Sequence, residues 1–436
     1  LDRGADQVRR PRGPGDIGTH RALKIAYLIP EWPGQTHIFF WREMKALKEM
    51  GVDVEVVSTR RPPANIVCHD WSKQAMAEAV YLMPIGPGGL AAGCWELIKA
   101  GPSRLMQAVC AALFSADATW RDRLRTLALM PIAGRLKRIV RERGYQHLHA
   151  HSCANAATLA LLVRLLADVP FSMTLHGPLS MYGSHQHAKW TRARFAIAVT
   201  QRLKSEVLAA IPELDESDVA VAPMGVDLDV FQRRTAYRPP QEGEPWRIVT
   251  CGRLHQGKGH QDLIRAIALL RDRGRETRLT ILGEGPYRGA LERLIRELNL
   301  EGTVDLRGSV SETQVRDALE ASHLFALGSH DEAIGVATME AMAMGLPVVV
   351  TDVGGVRELV HDQVNGRLVR ASDPIAMADA IRRALTIPQD AEAMHDHGRQ
   401  RVVDGFGADR SASIIRGHLT LDSQPQPTSE ELPCPV

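Results

Sequence analysis

Short apolar runs of strand length alternate with longer helical stretches along most of the chain. In the first half, strands are predicted at 24–29, 53–58, 146–150, 171–175, 195–200 and 219–223. Helices are predicted over 37–50 and 154–167 and again from Gln201. This alternation is typical of parallel βαβ units, in which helices cover both faces of the sheet. Residues 85–144 interrupt it with Leu-, Ala- and Arg-rich helical sequence that contains no strand candidate.

The second half repeats the alternation after a polar, Pro-containing stretch at 233–245. Its strands are predicted to begin near Arg247, Thr277, Thr303, His323 and Pro347. The sequence therefore predicts an α/β fold of two doubly wound domains that face each other across a cleft. In such domains ligand loops lie at the carboxyl ends of the strands.

These patterns divide the chain into segments. We predict flexible tails at 1–21 and 423–436, domains at 22–225 and 247–405, a linker at 226–246, and a final helix at 406–422. That helix is in a position to cross back to the N-terminal domain.

Composition narrows the class of protein. The 436 residues are 44% hydrophobic and 24% charged, and 53 Lys and Arg nearly balance 51 Asp and Glu. The chain therefore has enough hydrophobic residues to form a folded core over most of its length. Because positive and negative charges nearly balance, a dedicated nucleic-acid-binding face is not expected. The six cysteines include no C-x-x-C pair, and no apolar run is long enough for a transmembrane helix or a signal peptide. We therefore expect a cytoplasmic protein.

The stretch at 330–355 carries the most chemistry. Glu332 follows a predicted strand, and Glu340 lies in a helix that begins near Gly335. Glycine lets the chain turn close to a ligand, and the first amides of a helix can hold a phosphate. A pair of solvated glutamates on an amphipathic helix is the alternative. The helix is otherwise nearly all Ala, Met, Val and Thr, which favours a functional Glu340.

Two further loops follow predicted strands. CGRLHQGKGH at 251–260 places Arg253 and Lys258 ahead of a helix, where both cations could reach a diphosphate. A basic surface turn explains the same residues equally well. LGEGP at 282–286 is a tight turn that could also pass close to a ligand.

Together these motifs resemble the retaining glycosyltransferases of family 4, which have the GT-B fold of two Rossmann-like domains. The E-x7-E stretch with EAMAMGLPVV, the G-R-L-x-x-x-K-G loop, G-E-G-P and APMGVDLDVF (222–231) occur in the family's order. The resemblance implies that the C-terminal domain binds a nucleotide-sugar, and that the N-terminal domain binds the acceptor.

The resemblance also implies roles for individual residues. Arg253 and Lys258 would bind the donor diphosphate, Glu332 the donor sugar, and Glu340 the ribose, while backbone groups of 307–310 would hold the nucleobase. The expected donor-binding set is Gly252, Glu284, Arg307, Gly308, Val310, Ile334, Gly335, Val336, Ala337 and Glu340. The expected catalytic set is Arg253, Lys258, Glu332 and His176.

The N-terminal domain is similar to the exopolysaccharide, colanic-acid-type branch of that family. The similarity lies in residues 27–62, in HLHAHSCANAA (147–157) and in TLHG (174–177). It implies acceptor-side positions at Gly34, Gln35, His37 and His151. Gln35-Thr36-His37-Ile38 replaces the branch's usual Ser-Glu-Thr-Phe, and Gly-Pro follows His176. Both departures fall on loops of the acceptor side.

His147, His149 and His151 alternate along a strand, so one face could present all three to a metal. No acidic residue lies nearby in the sequence, and the family carries these histidines without a metal. We therefore expect no metal site and no cofactor.

The sequence thus predicts a metal-independent, retaining transferase that moves a sugar from a UDP- or GDP-linked donor to a saccharide or polyprenyl-diphosphate-linked acceptor. A nucleotide-sugar epimerase or a phosphorylase of the same fold, and a catalytically silent nucleotide-binding partner, are the alternatives. Residues 89–144 combine apolar and basic side chains, so they predict contact with the inner face of a membrane. Packing of these helices onto the sheet is the other interpretation.

Overall fold

A computed structural model describes residues 23–34, 37–63, 67 and 69–420 of the chain. Within this part, all strands belong to two parallel sheets. The predicted tails, at 1–21 and 423–436, lie outside the described residues.

The first sheet has the strand order β3-β2-β1-β4-β5-β6-β7. Its strands are β1 (Leu23–Glu31), β2 (Val52–Arg60), β3 (Val80–Tyr81), β4 (His147–Ala150), β5 (Phe171–Leu175), β6 (Ala196–Ala198) and β7 (Val219–Val221). Its helices are α1 (Ile38–Glu49), α2 (Ser72–Glu78), α3 (Pro87–Lys99), α4 (Pro102–Leu113), α5 (Trp120–Arg143), α6 (Asn155–Ala167), α7 (Gln186–Trp190) and α8 (Gln201–Ala210).

The second sheet has the order β10-β9-β8-β11-β12-β13. Its strands are β8 (Trp246–Cys251), β9 (Thr277–Leu282), β10 (Val304–Gly308), β11 (Leu324–Leu327), β12 (Val348–Thr351) and β13 (Arg367–Val369). The remaining helices are α9 (His260–Asp272), α10 (Arg288–Glu297), α11 (Glu312–Glu320), α12 (Val336–Ala343), α13 (Pro374–Thr386), α14 (Pro388–Gly405) and α15 (Ala408–Thr420).

Each sheet reverses its direction of winding once, between β1 and β4 and between β8 and β11. In doubly wound sheets, ligands bind in the crevice outside the carboxyl ends of the strands at this switch point. The prediction of two doubly wound α/β domains is therefore confirmed, and the loops after these four strands are where a site is expected.

The helical segment between β3 and β4 is tied together by a close crossing of α3 and α5. A Cβ at Gly93 would lie 2.1 Å from the carbonyl oxygen of Pro131, and one at Gly134 would lie 2.2 Å from that of Gly93. Only glycine allows this approach. The inner face of α5 joins the core through Met130, Leu136 and other residues. No described helix is long and apolar enough to cross a membrane.

The last helix packs against the N-terminal domain. Ala412, Ile415 and Leu419 of α15 share a core cluster with Ile25 and Tyr27 of β1. The chain therefore passes from the second sheet back to the first before residue 420.

Candidate functional site

Two loops meet at the switch point of the second sheet. The loop after β8 carries Arg253 and Lys258, and the loop after β11 carries Glu332. Gly259 has φ +62°, and a Cβ there would lie 1.7 Å from the carbonyl oxygen of Gly328. The two loops therefore touch through glycine backbone, which brings Lys258 and Glu332 together.

Lys258 and Glu332 form an ion pair. Lys258 Nζ lies 2.6 Å from Glu332 Oε1, which also accepts a hydrogen bond of 2.8 Å from Ser329 Oγ. The predicted diphosphate cation and the predicted sugar-holding carboxylate thus neutralise each other in this structure. A diphosphate that approached Lys258 would compete with Glu332 for the same ammonium group.

Arg253 is exposed on the same loop. Among the described residues, no hydrogen-bond or ion-pair partner of its guanidinium is found. Arg253 is therefore a second cation on the loop of Lys258 that could bind an anionic ligand without first leaving another partner.

The helix α12 begins directly after Gly335, whose φ is +93°. No side chain caps this helix, so the backbone N–H groups of Val336 and Ala337 are able to donate hydrogen bonds to an anion. Ile334 is 1% exposed, so its side chain belongs to the core and only its backbone could face a ligand.

Glu340 lies one turn further along α12 and is buried. Its Oε1 accepts a hydrogen bond of 2.6 Å from Arg42 Nη2 on α1 of the other domain. Burial raises the pKa of Glu340, and the Arg42 charge opposes that rise. The predicted ribose-binding carboxylate is therefore paired across the cleft.

The turn after β9 packs on the loop after β8. A Cβ at Gly285 would lie 2.3 Å from the carbonyl oxygen of Leu254, and the amide of Leu254 donates to the carbonyl of Glu284 at 3.0 Å. The Glu284 carboxylate is 3.1 Å from Arg288 Nη1. The amide of Gly252, two residues before Leu254, donates to the carbonyl of Leu282 at 2.9 Å. Backbone contacts therefore hold Gly252 and Glu284 next to the Arg253 loop.

The predicted nucleobase loop begins at the end of β10. Gly308 has φ +74° and accepts a hydrogen bond of 2.8 Å from the amide of Gly283. The Arg307 side chain is exposed and paired with Asp305, while Val310 packs partly against the core. The backbone of this loop is therefore held by the turn after β9, and the Arg307 side chain is engaged with Asp305.

The N-terminal side of the cleft carries His176 at the end of β5. Its Nε2 lies 3.3 Å from His151 Nδ1, and its ring contacts Phe39 and Phe40 at centroid distances of 5.2 and 5.4 Å. Burial, helped by His151, lowers the pKa of His176 to about 3. The contacts of His176 thus lie within its own domain, and its imidazole is neutral.

His37 and Gly34 lie in the loop between β1 and α1. The amide of His37 donates to the carbonyl of Gly34 at 3.0 Å, and the His37 ring stacks on Trp32 at 6.2 Å. Burial lowers the pKa of His37 to about 4. Gln35, the remaining acceptor-side prediction, lies outside the described residues.

The fold brings a carboxylate close to the histidines at 147–151, although none lies nearby in the sequence. Glu43 of α1 is distant in the sequence, yet its Oε1 lies 3.3 Å from His151 Nε2 and accepts a hydrogen bond of 2.8 Å from Tyr27. Glu43, His149 and His151 are close enough to share a metal ion. Hydrogen bonds already engage both nitrogens of His149, to Ser172 at 2.7 Å and to Thr174 at 2.9 Å. A polar network inside the domain therefore accounts for this cluster.

Sequence reasoning missed Arg42, Glu43 and Glu312. A signal was present for Arg42: residues 38, 42 and 46 share one face of α1, and the other two are Ile and Ala. A cation in the middle of an apolar stripe indicates a buried carboxylate partner, although the pattern does not say which one.

Family comparisons cover both domains. A model described as Glycosyltransferase Family 4 matches residues 38–230, and one described as Glycosyl transferases group 1 matches residues 233–401. The chain belongs to the family 4 glycosyltransferases and has their GT-B fold, as the sequence motifs predicted.

Individual relatives agree with this assignment. The chain is 26% identical over 410 residues to WcaL of Salmonella typhimurium, a glycosyltransferase assigned to colanic acid biosynthesis, with 88% of this chain and 96% of the relative covered. It is 30% identical over 285 residues to the alpha-D-kanosaminyltransferase of Streptomyces kanamyceticus, with 60% of this chain and 73% of the relative covered.

Among solved structures, Alr3699/HepE of Anabaena in complex with UDP and glucose has a TM-score of 0.69 at 19% identity. The alignment covers 92% of this chain and 100% of that chain. At this identity the likeness bears on the fold alone.

Proposed function

We propose that this glycosyltransferase moves a sugar from a UDP- or GDP-linked donor to a saccharide acceptor with retention of the anomeric configuration. The observation that carries the proposal is the contact of Lys258 with Glu332 at the switch point of the second sheet, 2.6 Å apart. Arg253 lies on the same loop as Lys258, and the helix α12, which carries Glu340, follows the loop of Glu332. The two cations, the two carboxylates and the first amides of α12 are the groups that a diphosphate linked to a sugar and a ribose requires.

The donor would bind along the C-terminal domain. Its diphosphate would replace Glu332 as the partner of Lys258 and would draw in the exposed side chain of Arg253. Glu332, once released, would accept hydrogen bonds from the sugar hydroxyls. Exchange of partners at one ammonium group would thus couple diphosphate binding to sugar binding.

Cationic side chains could also stabilise the charge that develops on the departing diphosphate. Groups aimed at developing charge lower a barrier by several kcal/mol. In this proposal Arg253 and Lys258 do so without a metal, and the departing phosphate oxygen takes the acceptor proton. Retention follows because the acceptor attacks the face from which the diphosphate leaves.

 The acceptor would bind against His37, His151 and His176 of the N-terminal domain. The neutral imidazole rings of His37, His151 and His176 can donate hydrogen bonds to sugar hydroxyls and accept hydrogen bonds from them. The similarity to colanic-acid-type transferases supports a lipid-linked saccharide as the acceptor, since such chains are assembled on polyprenyl diphosphates.

Exposed apolar side chains on α3, α4 and α5 support a membrane-bound acceptor. Seven of the twelve large apolar side chains that are exposed in the described residues lie here: Leu90, Trp95, Ile98, Met106, Phe114, Trp120 and Leu124. We call these seven residues the insert surface. Cations lie beside its tryptophans, with Lys99 Nζ 5.7 Å from the Trp95 ring and the Arg121 guanidinium 5.3 Å from the Trp120 ring. Apolar and basic groups together suit an anionic lipid interface.

Donor binding and product analysis test the reaction. A panel of UDP, GDP and their sugars should include one donor that, at 100 times its Kd, stabilises the protein by about 2.7 kcal/mol in thermal unfolding. NMR of the product formed from that donor should show the donor's own anomeric configuration. An inverted product, or activity lost in EDTA and restored by Mg²⁺ or Mn²⁺, would contradict the retaining, metal-independent scheme.

A further inference from the structure

Arg42 is a buried cation of the N-terminal domain that lies against two carboxylates of the C-terminal domain. Its Nη2 lies 2.6 Å from Glu340 Oε1 and 2.7 Å from Glu312 Oε1, and its Nε donates to Glu312 at 2.9 Å. The Arg42 side chain is 2% exposed. The three charges therefore form one cluster between α1, α11 and α12, in which Arg42 and Glu340 are buried and Glu312 is partly exposed.

The surroundings of Arg42 fix its orientation. The guanidinium lies over the Phe231 ring, 5.0 Å from its centroid. Glu312 is the first residue of α11, which Ser311 caps, so this carboxylate sits on a rigid helix end. The Arg42 side chain consequently has little freedom to leave Glu340 while the two domains stay in contact.

Arg42 favours the ionised form of Glu340, because its charge lowers the pKa of this buried carboxyl. Burial raises the pKa of Glu340, Arg42 lowers it, and the Glu312 charge raises it again. Arg233 and Arg399 also reach α12, but they donate to the carbonyls of Met344 and Ala343 at its far end. Among the described residues, Arg42 is therefore the cation that contacts the Glu340 carboxylate.

We propose that Arg42 is a positioning residue for donor binding, which holds the Glu340 carboxylate in place from the opposite domain. The inference rests on the proposed function, in which Glu340 contacts the donor ribose. Arg42 occupies Oε1 of Glu340 and leaves the second carboxylate oxygen for a ribose hydroxyl. Arg42 itself need not touch the donor.

A consequence is that nucleotide binding and cleft closure become linked. When the cleft opens, Glu340 loses its cation and Arg42 loses both carboxylates. A nucleotide that needs an ordered, ionised Glu340 therefore binds best to the closed arrangement, and it favours closure by its differential affinity for that state.

The test measures the affinity of UDP and GDP by calorimetry at several pH values between about 6 and 8. Arg42→Met should weaken binding about 10- to 100-fold, the loss expected for a charge-assisted hydrogen bond. The loss should grow as the pH falls, because an unpaired, buried Glu340 binds a proton more readily. Arg42→Lys keeps the charge without the planar fork, so its loss should be smaller and its pH dependence close to that of the wild type.

Two controls separate positioning from a general structural role. Lys48→Met removes the same charge from an exposed position of α1 and should change neither affinity nor pH dependence. In a Glu340→Gln background, Arg42→Met should cost much less than in the wild type, because there is no charge left to hold. A role in stability alone would lower the melting temperature and leave the two substitutions additive in nucleotide affinity.

The outcomes are distinguishable. If the wild type binds neither UDP nor GDP, the proposed function fails and the inference fails with it. If the wild type binds one of them, and Arg42→Met binds it with the same affinity and pH dependence, the inference alone is overturned. Additive losses in the double variant would overturn it as well.

Discussion

At the scale of single residues, the candidate site contains two ion pairs. Lys258 holds Glu332 at 2.6 Å, and Arg42 holds Glu340 at 2.6 Å. An ion pair that a ligand must replace affects the affinity for that ligand in two ways. In the proposed exchange the donor diphosphate binds Lys258, and the Glu332 carboxylate that it releases then binds the donor sugar. Substitution of Glu332 should therefore have opposite effects on the binding of the donor sugar and of the donor diphosphate.

Glu332→Gln tests this exchange. The variant loses the carboxylate proposed to hold the donor sugar, so affinity for the full donor should fall by about 1.5–3 kcal/mol. It also releases Lys258, so affinity for UDP or GDP alone should stay the same or rise. Calorimetry with donor and with bare nucleotide measures both effects. Asp331→Asn, at the exposed neighbouring position, should change neither, and equal losses for donor and nucleotide would remove Glu332 from this role.

His176→Ala tests the acceptor side. Because burial lowers the pKa of His176 to about 3, we expect the imidazole to be neutral between about pH 5 and 8. The substitution should therefore lower kcat while nucleotide affinity and the shape of the pH–rate profile between about pH 5 and 8 stay unchanged. A profile that loses an ionisation near neutral pH in the variant would show that His176 titrates and would contradict this assignment.

At the scale of elements, most strands could be predicted from the sequence because parallel strands are buried on both faces and appear as apolar runs. β3 and β13 were missed since each lies at a sheet edge and spans only Val80–Tyr81 or Arg367–Val369. Once β8 and β11 are located as apolar runs, the loops that follow them are located as well. The partner of Glu340 could not, because Arg42 is 298 residues away and its contact depends on how the two domains meet.

The attachment of α3 to α5 can be tested through Glu96. Hydrogen bonds from Arg141, with help from Lys137, lower the pKa of this buried carboxylate to about 2. A lowered pKa means that the stabilisation is present above the unfolded pKa and is lost as the pH falls toward the folded one. Glu96→Gln should thus reduce the free energy of unfolding by about 1.5–3 kcal/mol near neutral pH.

The pH dependence and a matched substitution complete that experiment. Denaturant unfolding should show the difference between wild type and Glu96→Gln shrinking as the pH is lowered from about 5 toward 3. Glu142→Gln removes an exposed carboxylate that pairs with Arg138 on α5, and it should cost less than about 0.5 kcal/mol. Equal costs for the two substitutions would mean that Glu96 does not tie the helices together.

At the scale of the whole molecule, the helical segment of residues 87–143 has two kinds of basic side chain. Some bind other residues of the N-terminal domain, and others are exposed beside the insert surface. Arg135 donates to the carbonyl of Leu82 at 2.6 Å, Lys137 to that of Glu96 at 2.7 Å, and Arg138 pairs with Glu142 at 2.6 Å. Arg135 and Lys137 hold the segment together, so reversing their charge would disturb the fold, whereas the exposed Arg138–Glu142 pair contributes little. Arg104, Arg121 and Arg125 are exposed beside the insert surface and are the better candidates for contact with lipid.

Liposome flotation tests whether this surface binds membranes. The wild type should float with vesicles that contain anionic lipid and should be released by salt, because each basic side chain near such a surface contributes about 1 kcal/mol. Replacing Arg104, Arg121 and Arg125 by Glu, or Trp95, Ile98 and Trp120 by Ser, should abolish flotation without changing the melting temperature. Val364→Ser and Ile375→Ser remove exposed apolar side chains from the C-terminal domain and should leave flotation intact. If the wild type ignores the vesicles, or if the control substitutions release it as well, the insert surface does not dock to lipid, and a lipid-linked acceptor would have to reach the cleft by another route.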